Sequence, residues 1–206
     1  IDRVRIEPAT QPLIAPHIDL DSKDNIYHAL FYQLQIKASY TRSNQSQASE
    51  YLLNPIAIIQ RGVIIYLLAT RTDDPKTTIR TFALHRFASV EILENAAQTP
   101  DDFQLDTYLD AGGMGFSHPL FGELPNHGKN TAIELQFSKQ AGKSLTESKL
   151  SDDQTVTLDD DTLTIQATVN LTSQLVWWLR GFGNGLLNAK PELLHQAVLD
   201  KSFDHK

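Results

Sequence analysis

The residues best suited to chemistry sit in one run, Thr78-Ile79-Arg80-Thr81-Phe82-Ala83-Leu84-His85-Arg86-Phe87. Read as a strand, its period of two places Arg80, Phe82, Leu84 and Arg86 on one face. Two guanidiniums flanking an apolar middle suit an anion, because each offers a planar fork of donors that matches phosphate or carboxylate. His85 belongs to the same run and joins the candidate set. Arg42, Arg61 and Arg71 fall at the ends of neighbouring predicted strands. Folded together, these cations would make a positive patch that focuses an anionic ligand. Tyr40 and Tyr66 lie on the same predicted strands. The plainer alternative is that the arginines pair with surface Asp and Glu, and that the tyrosines are ordinary half-buried strand residues.

Other chemistry finds little support. The chain has no cysteine, which excludes disulfides, thiolate nucleophiles and cysteine-ligated metals and fits a reducing cytoplasm. The His residues are scattered, and no pair has the spacing of a metal-ligand motif. Asp159-Asp160-Asp161 lacks the calcium-loop pattern and its closing Glu, so it reads as a hairpin turn. Gly112-Gly113-Met114-Gly115 is not followed by Lys-Ser/Thr and so is not a phosphate loop. Ser39 and Ser43 lack the nucleophile-elbow context. No metal, no cofactor and no catalytic constellation is expected. The sequence reads as a binding protein, not an enzyme.

The elements that must position the arginines are short. Asp24 is placed to cap a helix from Asn25 to about Leu34. Strands are predicted at Ile36–Arg42, Tyr51–Gln60, Val63–Arg71, Thr77–Leu84 and Arg86–Leu93. Pro55 marks an edge or a bend in the second of them. Five short strands joined by tight turns predict a small antiparallel barrel. Residues 95–130 are rich in Gly and Pro and read as a short helix followed by a mobile connection. After that the order β-α-β-β-α-β emerges, with Ile133, Leu135 and Phe137 facing one way and a hairpin around 159–161. This is the split-βαβ, ferredoxin-like pattern. Trp177-Trp178 is read as one core and one interface residue. The fold class is therefore α+β, divided as 1–24 N-terminal linker, 25–110 barrel, 111–130 connecting loop and 131–206 ferredoxin-like domain.

Composition bounds the function. Hydrophobic residues make up 41% and charged residues 21% of 206, ordinary for a globular protein with a core. The net charge of −7 disfavours non-specific nucleic-acid binding by the whole chain, though a local basic patch can still hold one anion. No apolar run approaches the roughly 20 residues of a membrane span. The chain opens on Ile1, not Met, and reads as a piece of a longer protein.

Asn54-Pro55-Ile56-Ala57, Arg61-Gly62-Val63-Ile64-Ile65-Tyr66-Leu67-Leu68-Ala69 and Ile79 to Phe87 resemble the core of a WYL domain. The family's Trp-Tyr-Leu tripeptide reads Ile65-Tyr66-Leu67 here. Ile36 to Tyr40 resembles the family's first strand. Trp178-Leu179-Arg180-Gly181-Phe182-Gly183 and Pro191-Glu192-Leu193 resemble the extension that follows such domains. The resemblance implies an Sm-like or SH3-like barrel in the effector region of a dimeric bacterial transcriptional regulator, with DNA contacted through an N-terminal winged helix-turn-helix that is absent here. It implies that an anionic small molecule or oligonucleotide binds at Tyr40, Tyr66, Arg80 and Arg86, with Arg42, Arg61, Arg71 and His85 around them. An Sm-like module that binds RNA or single strands is the alternative.

Overall fold

A computed structural model describes residues 13–115 and 118–200; the rest of the expected N-terminal linker, residues 1–12, lies outside. The described chain divides between Leu105 and Asp106 into two compact units, each with its own antiparallel sheet.

The first unit opens with helix α1 (Leu20–Tyr32). Asp19, not Asp24, is its cap: the Asp19 carboxylate accepts the Ser22 backbone N–H at 2.8 Å. An N-cap must lie just before the first turn, where amide groups have no helical partner. Asp24 instead lies a full turn inside the helix. Five strands follow: β1 (Leu34–Tyr40), β2 (Ser49–Arg61), β3 (Ile64–Arg71), β4 (Arg80–Ala83) and β5 (Phe87–Ala96), in the order β4-β3-β2-β1-β5. Helix α1 buries Ile26 and Ala29 against this sheet.

Two expectations need correction. The strand predicted through Leu84 stops at Ala83, and Leu84–Arg86 forms a 3-10 turn. The expected barrel is not closed either. β4 and β5 are the two outer strands, and among the described residues no ladder joins them. The three-residue turn carries the chain from one edge of a rolled sheet to the other. At that corner the Arg86 carbonyl accepts the Thr41 N–H at 3.1 Å, next to the Tyr40–Phe87 pair of the β1–β5 ladder.

Pro55 explains how β2 serves two partners. The β1 ladder uses β2 only up to Leu53, and the β3 ladder is bulged between Pro55 and Ala57. Proline has no N–H to give, so it sits where one ladder has already ended. Beside it, buried Asn54 ties three segments together. Its Oδ1 accepts from Gln35 Nε2 at 2.9 Å and from Gln98 N at 3.1 Å, while its Nδ2 donates to Thr70 Oγ1 at 3.1 Å.

Helix α2 (Leu105–Asp110) stands at the division. The stretch expected as a loose connection holds two 3-10 turns and sends Phe121 into the core of the second unit. That unit continues with β6 (Thr131–Ser138), α3 (Lys139–Gly142), β7 (Thr155–Leu158), β8 (Thr162–Val169), α4 (Ser173–Arg180), β9 (Leu186–Lys190) and α5 (Glu192–Leu199). The sheet order is β7-β8-β6-β9. Ile133, Leu135 and Phe137 are buried on one face of β6, as alternation predicts. Helix α4 buries Val176 and Leu179, whereas Trp177 and Trp178 both stay partly exposed; neither is the core residue expected.

Replacing Asn54 by Ala leaves the Gln35 amide, the Gln98 N–H and the Thr70 hydroxyl without their buried partner. We expect a loss of about 2–3 kcal/mol, the scale of stranding buried polar groups. Urea unfolding followed by circular dichroism measures it; wild-type stability would contradict the network's role.

Candidate functional site

The interior of the first sheet carries an aromatic cluster. Tyr40 meets Phe82 with ring centroids 5.1 Å apart and Phe87 at 4.9 Å, and Tyr51 meets Phe82 at 5.9 Å. Tyr40 belongs to this core. It is 5% exposed, and its hydroxyl accepts the Ala83 N–H at 3.1 Å. The structure therefore removes Tyr40 from the surface where a ligand would meet it.

Arginines rim the cluster. The guanidinium carbons of Arg42 and Arg71 lie 5.5 and 5.3 Å from the centroid of Tyr51, within cation–π range. Sequence reasoning missed Tyr51. Its position across the hairpin from Tyr40, one strand beyond the Arg42 turn, was the available signal.

The cations divide into two sets. Arg71 forms a two-pronged pair with Asp73, with Nε to Oδ1 at 2.8 Å, and Arg80 bonds Asp74 Oδ2 at 3.1 Å. Asp73 is held below the usual carboxylate range first by the Arg71 hydrogen bonds. Asp74 is held below it first by Arg80 and then by the Lys76 N–H. The plainer alternative therefore describes Arg71 and Arg80. By contrast, among the described residues no carboxylate pairs with Arg42 or Arg86.

Arg42, His85 and Arg86 come together. With Thr41, Ser43, Phe87 and Ala88 they line a shallow groove of ≈ 460 Å³ that contains no carboxylate. The expected Arg80–Arg86 face is not formed. The 3-10 turn breaks the period of two after Ala83, so Phe82 and Leu84 point into the core while Arg86 leaves with the turn. Tyr66 is half-buried on β3, and alternation puts it on the face opposite Leu67 and the aromatic cluster. Arg61 ends β2 opposite Ile64, at the Gly62 turn, and does not line the groove.

His85 has a buried Nδ1 with no hydrogen-bond partner. Burial first, and the Arg86 cation second, push its pKa below the ordinary 6.5. In a second groove, on the β6–β8–β9 face, Glu134 takes Lys190 Nζ at 2.7 Å and Gln166 Nε2 at 2.9 Å, while Asp153 accepts from the Ser151 hydroxyl and from the Thr168 N–H at 3.1 Å. Among the described residues no helix is long and apolar enough to cross a membrane.

Fold and groove together define a two-unit α+β protein with antiparallel sheets and an unneutralised basic corner on the first. The WYL domain family matches residues 21–92, and the WCX domain family matches residues 129–201. The chain thus carries a WYL domain followed by a WCX domain. No curated protein matches it. Among solved structures, proteasome accessory factor B/C of Arthrobacter aurescens is 18% identical with a TM-score of 0.40, over 96% of this chain and 28% of that one. A CRISPR Cas-related protein is 12% identical with a TM-score of 0.49, over 86% of this chain and 48% of that one. The chain thus spans less than half the length of either.

The depressed pKa of His85 fixes the sign of a pH effect. The unfolded chain binds this proton more tightly, so stability falls as pH drops from about 6.5 through the lower folded value. The fall in melting temperature between pH 7.5 and pH 5.5 should therefore be smaller in His85→Gln than in wild type. Equal falls would show that His85 is not held neutral by its surroundings.

Proposed function

We propose that this chain is the ligand-sensing portion of a WYL-type transcriptional regulator, and that it binds an anionic, nucleotide-like or nucleic-acid-like ligand at Arg42, His85 and Arg86. One observation carries this reading: among the described residues these two arginines lack carboxylate partners, in a chain of net charge −7, while their neighbours Arg71 and Arg80 are paired with Asp73 and Asp74. Bare guanidiniums beside the Thr41 and Ser43 hydroxyls offer charge and hydrogen bonds to a phosphate. The order of a WYL and then a WCX domain supports the regulator class. The strand order β4-β3-β2-β1-β5 after a helix supports an Sm-like reading of the first unit. The order β7-β8-β6-β9 supports a ferredoxin-like reading of the second.

The groove is suited to holding charge and not to a reaction. Ser43 and His85 both line it, but no carboxylate lies there to orient the imidazole as a base. The protein is therefore read as non-catalytic. A ligand acts by binding one arrangement of a longer protein more tightly than another, which changes the DNA affinity of a domain outside this sequence. The groove sets the ligand's sign, and the DNA-binding domain supplies the output.

Oligothymidylate, titrated by fluorescence anisotropy, tests the assignment. Arg42→Ala and Arg86→Ala should each weaken binding about tenfold, the effect of about 1.4 kcal/mol. Arg80→Ala, already tied to Asp74, should leave it within about twofold. Equal affinity in an Arg42→Ala/Arg86→Ala protein would overturn the site. Two phosphate contacts also predict a shallow salt slope, near −1.4 for single strands; a much steeper slope would favour the RNA-binding alternative.

A further inference from the structure

The groove at Arg42, His85 and Arg86 has charge and hydroxyls but no surface for a base to lie on. Phe87 lines it yet is only 4% exposed, and Tyr40 and Tyr51 are core residues. The Tyr51 ring already carries the guanidiniums of Arg42 and Arg71. Among the described residues of the first unit, the exposed Phe and Tyr rings are Tyr27, Phe31 and Tyr32. They stand on α1 and do not line the groove. Proteins that hold single strands add to a basic path the rings on which successive bases stack. This groove lacks that part, so its contacts fall on phosphate.

Charge then decides which phosphate. His85 is neutral at pH 7.5, since burial and Arg86 oppose its protonation. Arg42 and Arg86 supply the positive charge, and no carboxylate among the lining residues offsets it. A diester inside a strand brings a single negative charge. A terminal phosphate, with its second pKa near 6, is close to doubly charged at pH 7.5 and presents three unesterified oxygens. Two planar guanidinium forks therefore gain more from the terminal group. The contact with Tyr51 holds the Arg42 fork in place, which suits a compact group better than a path along a strand. We infer that the groove is a site for a terminal phosphate monoester, on an oligonucleotide end or a free nucleotide, and that it leaves the base unread. This rests on the ligand-sensing reading above and adds which part of the ligand is held.

Oligothymidylate labelled at its 3′ end, with and without a 5′-phosphate, tests it by fluorescence anisotropy at pH 7.5 and one fixed salt concentration. The phosphorylated strand should bind about tenfold more tightly, a difference of about 1.4 kcal/mol. Thymidine and deoxyadenosine 5′-monophosphates should displace it, each with an affinity within about threefold of the strand's own. Arg86→Gln, which leaves Arg42 on Tyr51, should cut the preference to about threefold. Arg80→Ala should keep the preference whole. Equal affinity for the two strands, both weakened by Arg86→Gln, would overturn the inference while the anion site stands, filled by internal diesters. Mononucleotides that fail to compete would overturn it too, by giving recognition to the rest of the strand. A preference undiminished in Arg86→Gln would move the terminal phosphate to another place and sink the assignment. Binding of neither strand would remove this inference together with the reading beneath it.

Discussion

The first unit turns on one buried hydrogen bond, from the Ala83 N–H to the Tyr40 hydroxyl, between residues 43 positions apart. It joins the end of β4 to the end of β1, two strands that share no ladder. A tyrosine hydroxyl left alone in an aromatic core would cost free energy, and so would an unpaired amide at a strand end. The bond satisfies both and holds the rings of Tyr40, Phe82 and Phe87 in contact. The chain must then change direction after Ala83. The resulting 3-10 turn carries His85 and Arg86 to the β1 end, where the Thr41 N–H takes the Arg86 carbonyl and Arg42 stands next in sequence. The basic groove is the outer consequence of an inner constraint.

Charge placement then decides which cations remain available. The turn after β3 supplies Asp73 and Asp74, and each holds one nearby arginine. Nothing comparable follows β1, where the turn is Arg42-Ser43-Asn44-Gln45-Ser46-Gln47 and carries no acid. Among the described residues, this corner of an overall acidic chain therefore keeps positive charge that no carboxylate pairs. His85 lies within it as a neutral ring at pH 7, because burial and Arg86 oppose its protonation. Arg42 belongs both to the groove and to the cation–π contact on Tyr51, so the packed core braces one of its two bare guanidiniums.

Much of the second unit was legible in the sequence, because period-two alternation and turn residues act locally. β7 and β8 fall where the hairpin around Asp159-Asp160-Asp161 placed them, and Pro191 precedes the last helix. The groove was only partly legible. Arg42, His85 and Arg86 stood among the candidates, but the face meant to gather Arg80 and Arg86 does not exist. That error followed from extending a strand period across Leu84, where a tertiary hydrogen bond to Tyr40 ends the strand. No local pattern in Thr78 to Phe87 reveals that partner. Asp24 misled because the helix begins a turn earlier, at Leu20, where the Asp19 carboxylate takes the Ser22 N–H. The sorting of arginines into paired and bare sets was likewise out of reach, since it depends on which acidic turn folds beside which cation.

The central claim is that Arg42 and Arg86, and not Arg71 or Arg80, are the cations left for a ligand. Arginine side-chain Nε–Hε resonances report this directly when oligothymidylate is titrated into the labelled protein. The Arg42 and Arg86 signals should move together along one saturating curve while those of Arg71 and Arg80 stay in place. Saturating shifts centred on Arg80, or on residues of the second unit, would contradict it.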